Sequence, residues 1–216
     1  MRRLAEQRRF VIAAAAGVLA LGLAACGSGS SGSGGGSSKT SSSATLTMES
    51  SPESTITQAF NPFVTTQAAY GMGATGLIYE PLIQFDLANP TVNYPWLATA
   101  YKWGEGGKQI TFTIRSGVKW SNGSAFTPAD VAYTFGLVKA NASINLGGLS
   151  ISSVSTSGNT VTLTFPSPQY TNLEEIAGTA IVPKAIWSKA GNPATFADAT
   201  PVGTGPYMLQ SFTPQG

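Results

Sequence analysis

Gln109-Ile110-Thr111-Phe112-Thr113-Ile114-Arg115 carries the clearest structural signal of the sequence, with Gly117-Val118-Lys119-Trp120-Ser121-Asn122-Gly123 and Phe126-Thr127-Pro128-Ala129-Asp130-Val131 that follow it. Ile110, Phe112 and Ile114 alternate with polar residues, the period-2 pattern of a strand buried on one face. Ser116-Gly117 and Ser121-Asn122-Gly123 supply turns on either side of Val118-Lys119-Trp120. Thr127 then reads as a helix N-cap, with Pro128 at the first helical position and Asp130 three residues after the cap. Val131, Phe135 and Val138 fall on one side of that helix and predict its buried stripe.

On the C-terminal side, Ile151–Thr156 and Thr160–Phe165 flank Ser157-Gly158-Asn159 and predict a hairpin. Gln169–Gly178 and Pro183–Ala190 read as helices, and Tyr207–Phe212 as a strand. On the N-terminal side, Thr45–Glu49 alternates like a strand and Ser51-Pro52-Glu53 turns the chain. Thr66–Glu80 predicts a helix ended by Pro81, and Leu82–Asp86 a short strand before a turn at Asn89-Pro90. Strands and helices mixed without regular alternation indicate an α+β class with a mixed sheet.

Composition removes several functions. The 216 residues include no histidine, so neither a Ser-His-Asp nor a Cys-His arrangement can be built, and imidazole metal sites are excluded. A single cysteine, Cys26, excludes an internal disulfide framework and multi-thiolate metal sites. The net charge of +2 is set by the N-terminus: Arg2, Arg3, Arg8 and Arg9 stand there with one acid, Glu6. The remaining eight basic and nine acidic residues leave the body at about −1, which gives no basic surface for nucleic acid. Glu174-Glu175 are adjacent, point in different directions on a helix and read as solvated surface.

Residues 1–26 read as a signal sequence, a basic start followed by an apolar run from Phe10 to about Ala25 that is shorter than a membrane span. Leu23-Ala24-Ala25-Cys26 resembles the lipobox of bacterial lipoproteins, which implies lipidation of Cys26 and cleavage just before it. Arg8-Arg9 hints at twin-arginine export, but the residues around it match that signal poorly and the route stays open. Residues 27–43 contain only Gly, Ser, Lys39 and Thr40, a composition with nothing to bury, so they are expected to form a flexible linker. The implied location is outside the cytoplasm, tethered to the membrane through Cys26.

The Gly117–Gly123 and Phe126–Val131 elements, with Tyr133 and Phe135 after them, resemble the extracellular solute-binding proteins for peptides and nickel, family 5 of the ATP-binding-cassette (ABC) importers. Pro201-Val202-Gly203-Thr204-Gly205-Pro206-Tyr207 is similar to a second element of that family. Leu77-Ile78-Tyr79-Glu80-Pro81-Leu82 and Val182-Pro183 add to the likeness, which covers about residues 44–216. The resemblance implies a periplasmic-binding-protein-like fold (type II, cluster C-like) of two lobes closing on a ligand. It implies a discontinuous first lobe, with residues 44–88 and 180–216 as main subdomain and 89–179 as an appended one. Family members are more than twice as long, so the expectation is an incomplete protein without its second lobe, from a truncated gene or a fragment.

Candidate ligand contacts follow from the same resemblance. Tyr133 matches a tyrosine able to touch a peptide backbone, or else packs against Trp120. Gly203-Thr204-Gly205 offers backbone groups to a ligand, or else joins subdomains as a turn. Asn61, in Phe60-Asn61-Pro62-Phe63, contacts a ligand or starts a turn. Trp96, Trp103 and Trp120, with Tyr94 and Tyr101, are candidate sugar-stacking surfaces or core. The function implied is the binding component of an ABC importer, with a peptide or other small solute and the permease as partners. No cofactor, metal or catalysis is expected. The alternatives are an oligosaccharide-binding member of the family and a secreted lipoprotein hydrolase, for which Glu80 and Asp130 are the acids to test.

Overall fold

The computed structural model describes residues 56–89 and 91–213. The expected signal sequence, Cys26, the linker and the features at Thr45–Glu49 and Ser51–Glu53 lie outside the described residues.

The organising element is a four-stranded antiparallel sheet. Its strands are β3 (Ala98–Gly104), β4 (Gln109–Ile114), β5 (Ser153–Ser157) and β6 (Thr160–Thr164), in the order β3-β4-β6-β5. On β4, Ile110, Phe112 and Ile114 are buried as the alternation requires, and Val161 and Leu163 of β6 pair with Phe112 and Ile110 on the same face. Full burial of such side chains contributes about 1.5–3 kcal/mol each. The opposite face carries hydroxyls, with Thr111 and Thr162 bonded to each other at 2.9 Å. The β5–β6 hairpin turns on Gly158, at φ 53°, and Asn159, whose carbonyl accepts from Ile114 N–H at 2.9 Å.

Helix α3 (Pro128–Ala140) packs on β5 and β6 and buries Val131, Phe135 and Val138, the expected stripe. Thr127 caps it through a capping box, its N–H and hydroxyl donating to Asp130 Oδ2 at 2.9 and 3.0 Å. The other oxygen, Asp130 Oδ1, accepts from Lys184 N–H at 3.0 Å. One turn on, Val182 N–H donates to Thr134 Oγ1 at 3.2 Å. Helix α3 is thereby bonded to the segment that leads into α5 (Lys184–Trp187).

Residues 56–88 carry two short helical turns, α1 (Ala68–Gly71) and α2 (Ala74–Leu77), then β1 (Ile83–Phe85), which pairs with β2 (Asn93–Pro95). They are joined to residues 180–213. Tyr79 hydroxyl bonds Asp198, Ile181 N–H donates to Glu80 O at 3.1 Å, and Phe63 packs edge-on against Trp187 at 5.4 Å.

Three expectations change. A single helix over Thr66–Glu80 does not form, because Gly73 and Gly76 take φ of 89° and 97° and Thr75 an extended ψ. Tyr207–Phe212 is not a strand; within it, Tyr207 N–H alone reaches across, to Leu77 O at 3.0 Å. The helices near Gln169–Gly178 and Pro183–Ala190 are shorter than expected, α4 (Leu173–Ala177) after a 3-10 turn and α5. β3 was not anticipated. A bulge between Ala98 and Ala100 shifts its register and breaks the alternation of its apolar face, which carries Ala98 before the bulge and Tyr101 and Trp103 after it.

Asp130→Ala should lower stability by about 2–3 kcal/mol, since it removes a helix cap and the partner of a half-buried amide. Urea unfolding of the full chain measures it, and a loss below about 0.5 kcal/mol would refute the double role.

Candidate functional site

A cavity of about 440 Å³ opens where the chain before β2 meets the ends of α3 and α4. Phe63, Ile83, Phe85, Val138, Ile144 and Leu149 form its apolar lining. Pockets of this size, apolar with a few placed polar groups, suit small solutes. Its polar groups include Tyr70, Thr75, Gln84 and Asn145, with the Glu174 and Glu175 carboxylates. Leu87 and Leu146 stand at it highly exposed, at 91% and 53%. The Thr75 hydroxyl is buried and has no hydrogen-bond partner. Thr75 sits where α2 unwinds between Gly73 and Gly76, so the same glycines that break the expected helix turn this hydroxyl group away from a helical partner.

The residues singled out from sequence do not converge on this cavity; Asn61, Tyr133, Thr204 and Gly205 are absent from its lining. Asn61 is buried, and its amide donates to Pro193 O at 2.7 Å and Phe196 O at 2.8 Å while Oδ1 accepts from Phe63 N–H at 2.9 Å. It acts as a turn and as a tie between segments. Tyr133 is half-buried on α3, and burial raises its hydroxyl above the usual tyrosine range. Trp120 packs edge-on against Phe126 at 5.6 Å.

Gly205 N–H donates to Ile78 O at 2.9 Å, and Gly203 O accepts from Ser121 N–H at 2.8 Å. A β-carbon at either glycine would collide with the Leu77–Ile78 backbone, so this element needs glycine for close approach. Between them the Thr204 hydroxyl is buried without a partner. Of the aromatic candidates, Trp96 and Tyr94 are exposed at 43% and 52%, with Trp96 Nε1 donating to Glu80 Oε1 at 2.7 Å, while Trp103 packs on Tyr170 at 5.1 Å. Sequence reasoning missed Tyr70, Thr75, Gln84 and Asn145, which no local motif marks. It placed Glu174 and Glu175 correctly as exposed without placing them at a cavity.

Residues 93–216 match the family model described as "Bacterial extracellular solute-binding proteins, family 5 Middle". The Nickel-binding periplasmic protein of Escherichia coli (strain K12) is 32% identical over 144 residues, 64% of this chain and 27% of that protein. The Dipeptide-binding protein of the same organism is 30% identical over 190 residues, 76% of this chain and 34% of that protein. Among solved structures, a periplasmic oligopeptide-binding protein of an oligopeptide ABC transporter from Thermotoga maritima matches with TM-score 0.65 and 30% identity. The match covers 74% of this chain and 30% of that one, and the same protein has been solved with mannohexaose bound. The chain thus spans 27–34% of the length of these two curated relatives.

Outside the cavity lining lies a buried pair, Tyr79 hydroxyl donating to Asp198, with the Trp187 indole N–H facing the same carboxylate without closing a hydrogen bond. Burial raises the Asp198 carboxyl above its ordinary 3.8, opposed by the Tyr79 and Trp187 donors. Burial, then the Asp198 charge and hydrogen bond, also raise Tyr79. A raised carboxyl in the folded state favours folding fully below pH 3.8 and loses that contribution as pH rises through the folded value. Asp198 has φ 48°, a conformation asparagine tolerates well. Asp198→Asn should therefore gain stability over the parent as pH rises from 4 to 8, measured by urea unfolding at each pH. A parent that gains on the variant across that range would overturn the burial argument.

Proposed function

The chain belongs to the bacterial extracellular solute-binding proteins of family 5, and on that premise we propose that it captures a small solute, a peptide first, for delivery to the permease of an ABC importer. The family match over residues 93–216 carries this reading. Its mixed helices and sheets are a partial periplasmic-binding-protein fold. In our reading, residues 44–88 and 180–216 form the main subdomain and 89–179 the appended one. The hydrogen bonds from Tyr79 to Asp198 and from Gly205 to Ile78 support this by closing the first pair of segments on each other.

Capture needs no reacting group, only surface that prefers the bound state. The acids a hydrolase would need are otherwise engaged, Asp130 in capping α3 and receiving Lys184, Glu80 in receiving the Trp96 indole. The solute contacts we favour are the cavity residues and the Thr204 hydroxyl, with Tyr133 as an outer contact. Asn61 and the Gly205 N–H are engaged by the chain itself. An oligosaccharide is the second reading, favoured by the mannohexaose complex of the Thermotoga neighbour and by the exposed rings of Trp96 and Tyr94.

The experiment is a thermal-shift screen of the full chain with di- and oligopeptides, then manno- and malto-oligosaccharides. A cognate solute at a hundredfold over its Kd adds about 2.7 kcal/mol, or roughly 5–10 °C in Tm. A shift with sugars alone moves the reading to oligosaccharide, and no shift with either class rejects capture. We also read Cys26 as the lipidated N-terminus of the processed protein and residues 27–43 as its tether. Intact mass of the membrane-bound form should then fit a chain starting at Cys26 plus acyl groups, and Cys26→Ala should release the protein into the medium.

A further inference from the structure

We propose that Asn122 is a site of spontaneous modification, an asparagine that its folded turn keeps intact and that converts to isoaspartate when the turn opens. Asn122-Gly123 is the single Asn-Gly pair of the chain. Asparagine is thermolabile, and a following glycine, having no side chain, leaves its amide open to attack by the next backbone nitrogen. In that step the Gly123 nitrogen bonds Asn122 Cγ, and the side-chain nitrogen leaves as ammonia with the Gly123 proton. A five-membered imide results. Water then opens it at one carbonyl or the other. One product is aspartate; the other is isoaspartate, whose backbone runs through the side chain and is one carbon longer.

The fold holds both reacting groups. Residues 118–126 form a small hairpin, bridged at Lys119 and Ala125, with Phe126 N–H donating to Val118 O at 3.0 Å and Trp120 N–H to Ser124 O at 2.9 Å. Trp120 and Phe126 bury its base, while Asn122, Gly123 and Ser124 stand exposed at the tip. There the Gly123 N–H donates to Trp120 O at 2.8 Å, which occupies the nitrogen that would attack. Asn122 Oδ1 accepts from Ser124 N–H at 3.0 Å and from the Ser124 hydroxyl at 2.7 Å, which fixes the side-chain amide on Ser124. Solvent reaches the tip, so water is at hand and the turn's hydrogen bonds are the restraint.

The position gives the conversion a consequence. Ser121 N–H, next to Asn122, donates to Gly203 O at 2.8 Å and ties the hairpin to the Gly203-Thr204-Gly205 element. One extra backbone carbon beside Ser121 displaces that donor, so isoaspartate at 122 unties the hairpin from Gly203. Aspartate keeps the backbone length and an oxygen for Ser124, and leaves the tie intact. The modification thus records opening of the hairpin irreversibly.

Peptide mapping of the full chain after incubation in mildly alkaline buffer, with isoaspartate detected by enzymatic methylation, tests this. The folded chain should convert Asn122 at least about tenfold more slowly than the chain in concentrated urea, since the bonds on both reacting groups must break first. Ser124→Ala, at an exposed residue, should speed the folded reaction about two- to tenfold, the worth of one hydrogen bond, and leave the rate in urea unchanged. Hydrogen exchange of the Gly123 amide in the parent measures the same opening without a variant. In the isoaspartyl form the Ser121 amide should lose its protection while the Ile114 amide of β4, bonded to Asn159 O, keeps its own. In Asn122→Asp both should stay protected. Equal conversion in the folded and unfolded chain, a folded rate indifferent to Ser124→Ala, or an unprotected Gly123 amide overturns the gate. Ser121 protection that survives in the isoaspartyl form overturns the consequence.

Discussion

The carboxylate of Asp130 is the point at which separated stretches of the chain are made to agree. One oxygen closes the first turn of α3 and the other receives the amide of Lys184, 54 residues later. A carboxylate 7% exposed is tolerable only when its lone pairs are occupied, and here three donors occupy them. Thr134 repeats the tie one turn further along, on Val182. With its first turns fixed in this way, α3 has little freedom to slide, and its far end presents Val138 to the cavity beside Ala180. The apolar wall is thus positioned by a polar joint at the other end of the same helix.

A second constraint acts through backbone rather than side chains. Gly203 and Gly205 lie so close to Leu77–Ile78 that no β-carbon fits, and Gly205 and Tyr207 donate to the carbonyls there. This pairing resembles a strand over two bonds and then stops. The Gly-Thr-Gly element therefore explains itself by packing before any ligand is invoked. Its middle residue is different, because a glycine-defined path around Thr204 leaves that hydroxyl buried with nothing to bond.

How much of this was legible in the sequence depends on the distance over which each feature is decided. The alternation of Ile110, Phe112 and Ile114, the Thr127-Pro128-Asp130 cap and the Gly158-Asn159 turn are fixed by neighbours within a few residues, and each formed where the pattern placed it. Thr66–Glu80 failed because apolar spacing was weighed above Gly73 and Gly76, whose positive φ the helix cannot contain. β3 escaped notice because its bulge interrupts a period that is otherwise present at Tyr101 and Trp103. The candidate site was the least legible part. Asn61 reads as an available amide until Pro193 and Phe196, more than 130 residues away, are seen to occupy it. Glu174-Glu175 reads as ordinary surface because exposure, which is real, says nothing about what the exposed group faces.

The chain treats its buried acids and its buried hydroxyls differently. Asp130 and Asp198 are buried and hydrogen-bonded by the chain itself, Asp198 to Tyr79. Among the described residues, the buried side-chain atoms without a partner are the hydroxyls of Thr75 and Thr204 and the indole N–H of Trp187. A hydroxyl near neutral pH neither titrates nor attacks without a base beside it, and the chain has no histidine to act as one. Left unpaired, such a group costs about 1–3 kcal/mol of desolvation that the packing around it must offset. The buried acids therefore hold segments of the chain together, whereas the Thr75 and Thr204 hydroxyls are closed to solvent and tie nothing, so their cost falls on the packing around Gly73–Gly76 and Gly203–Gly205.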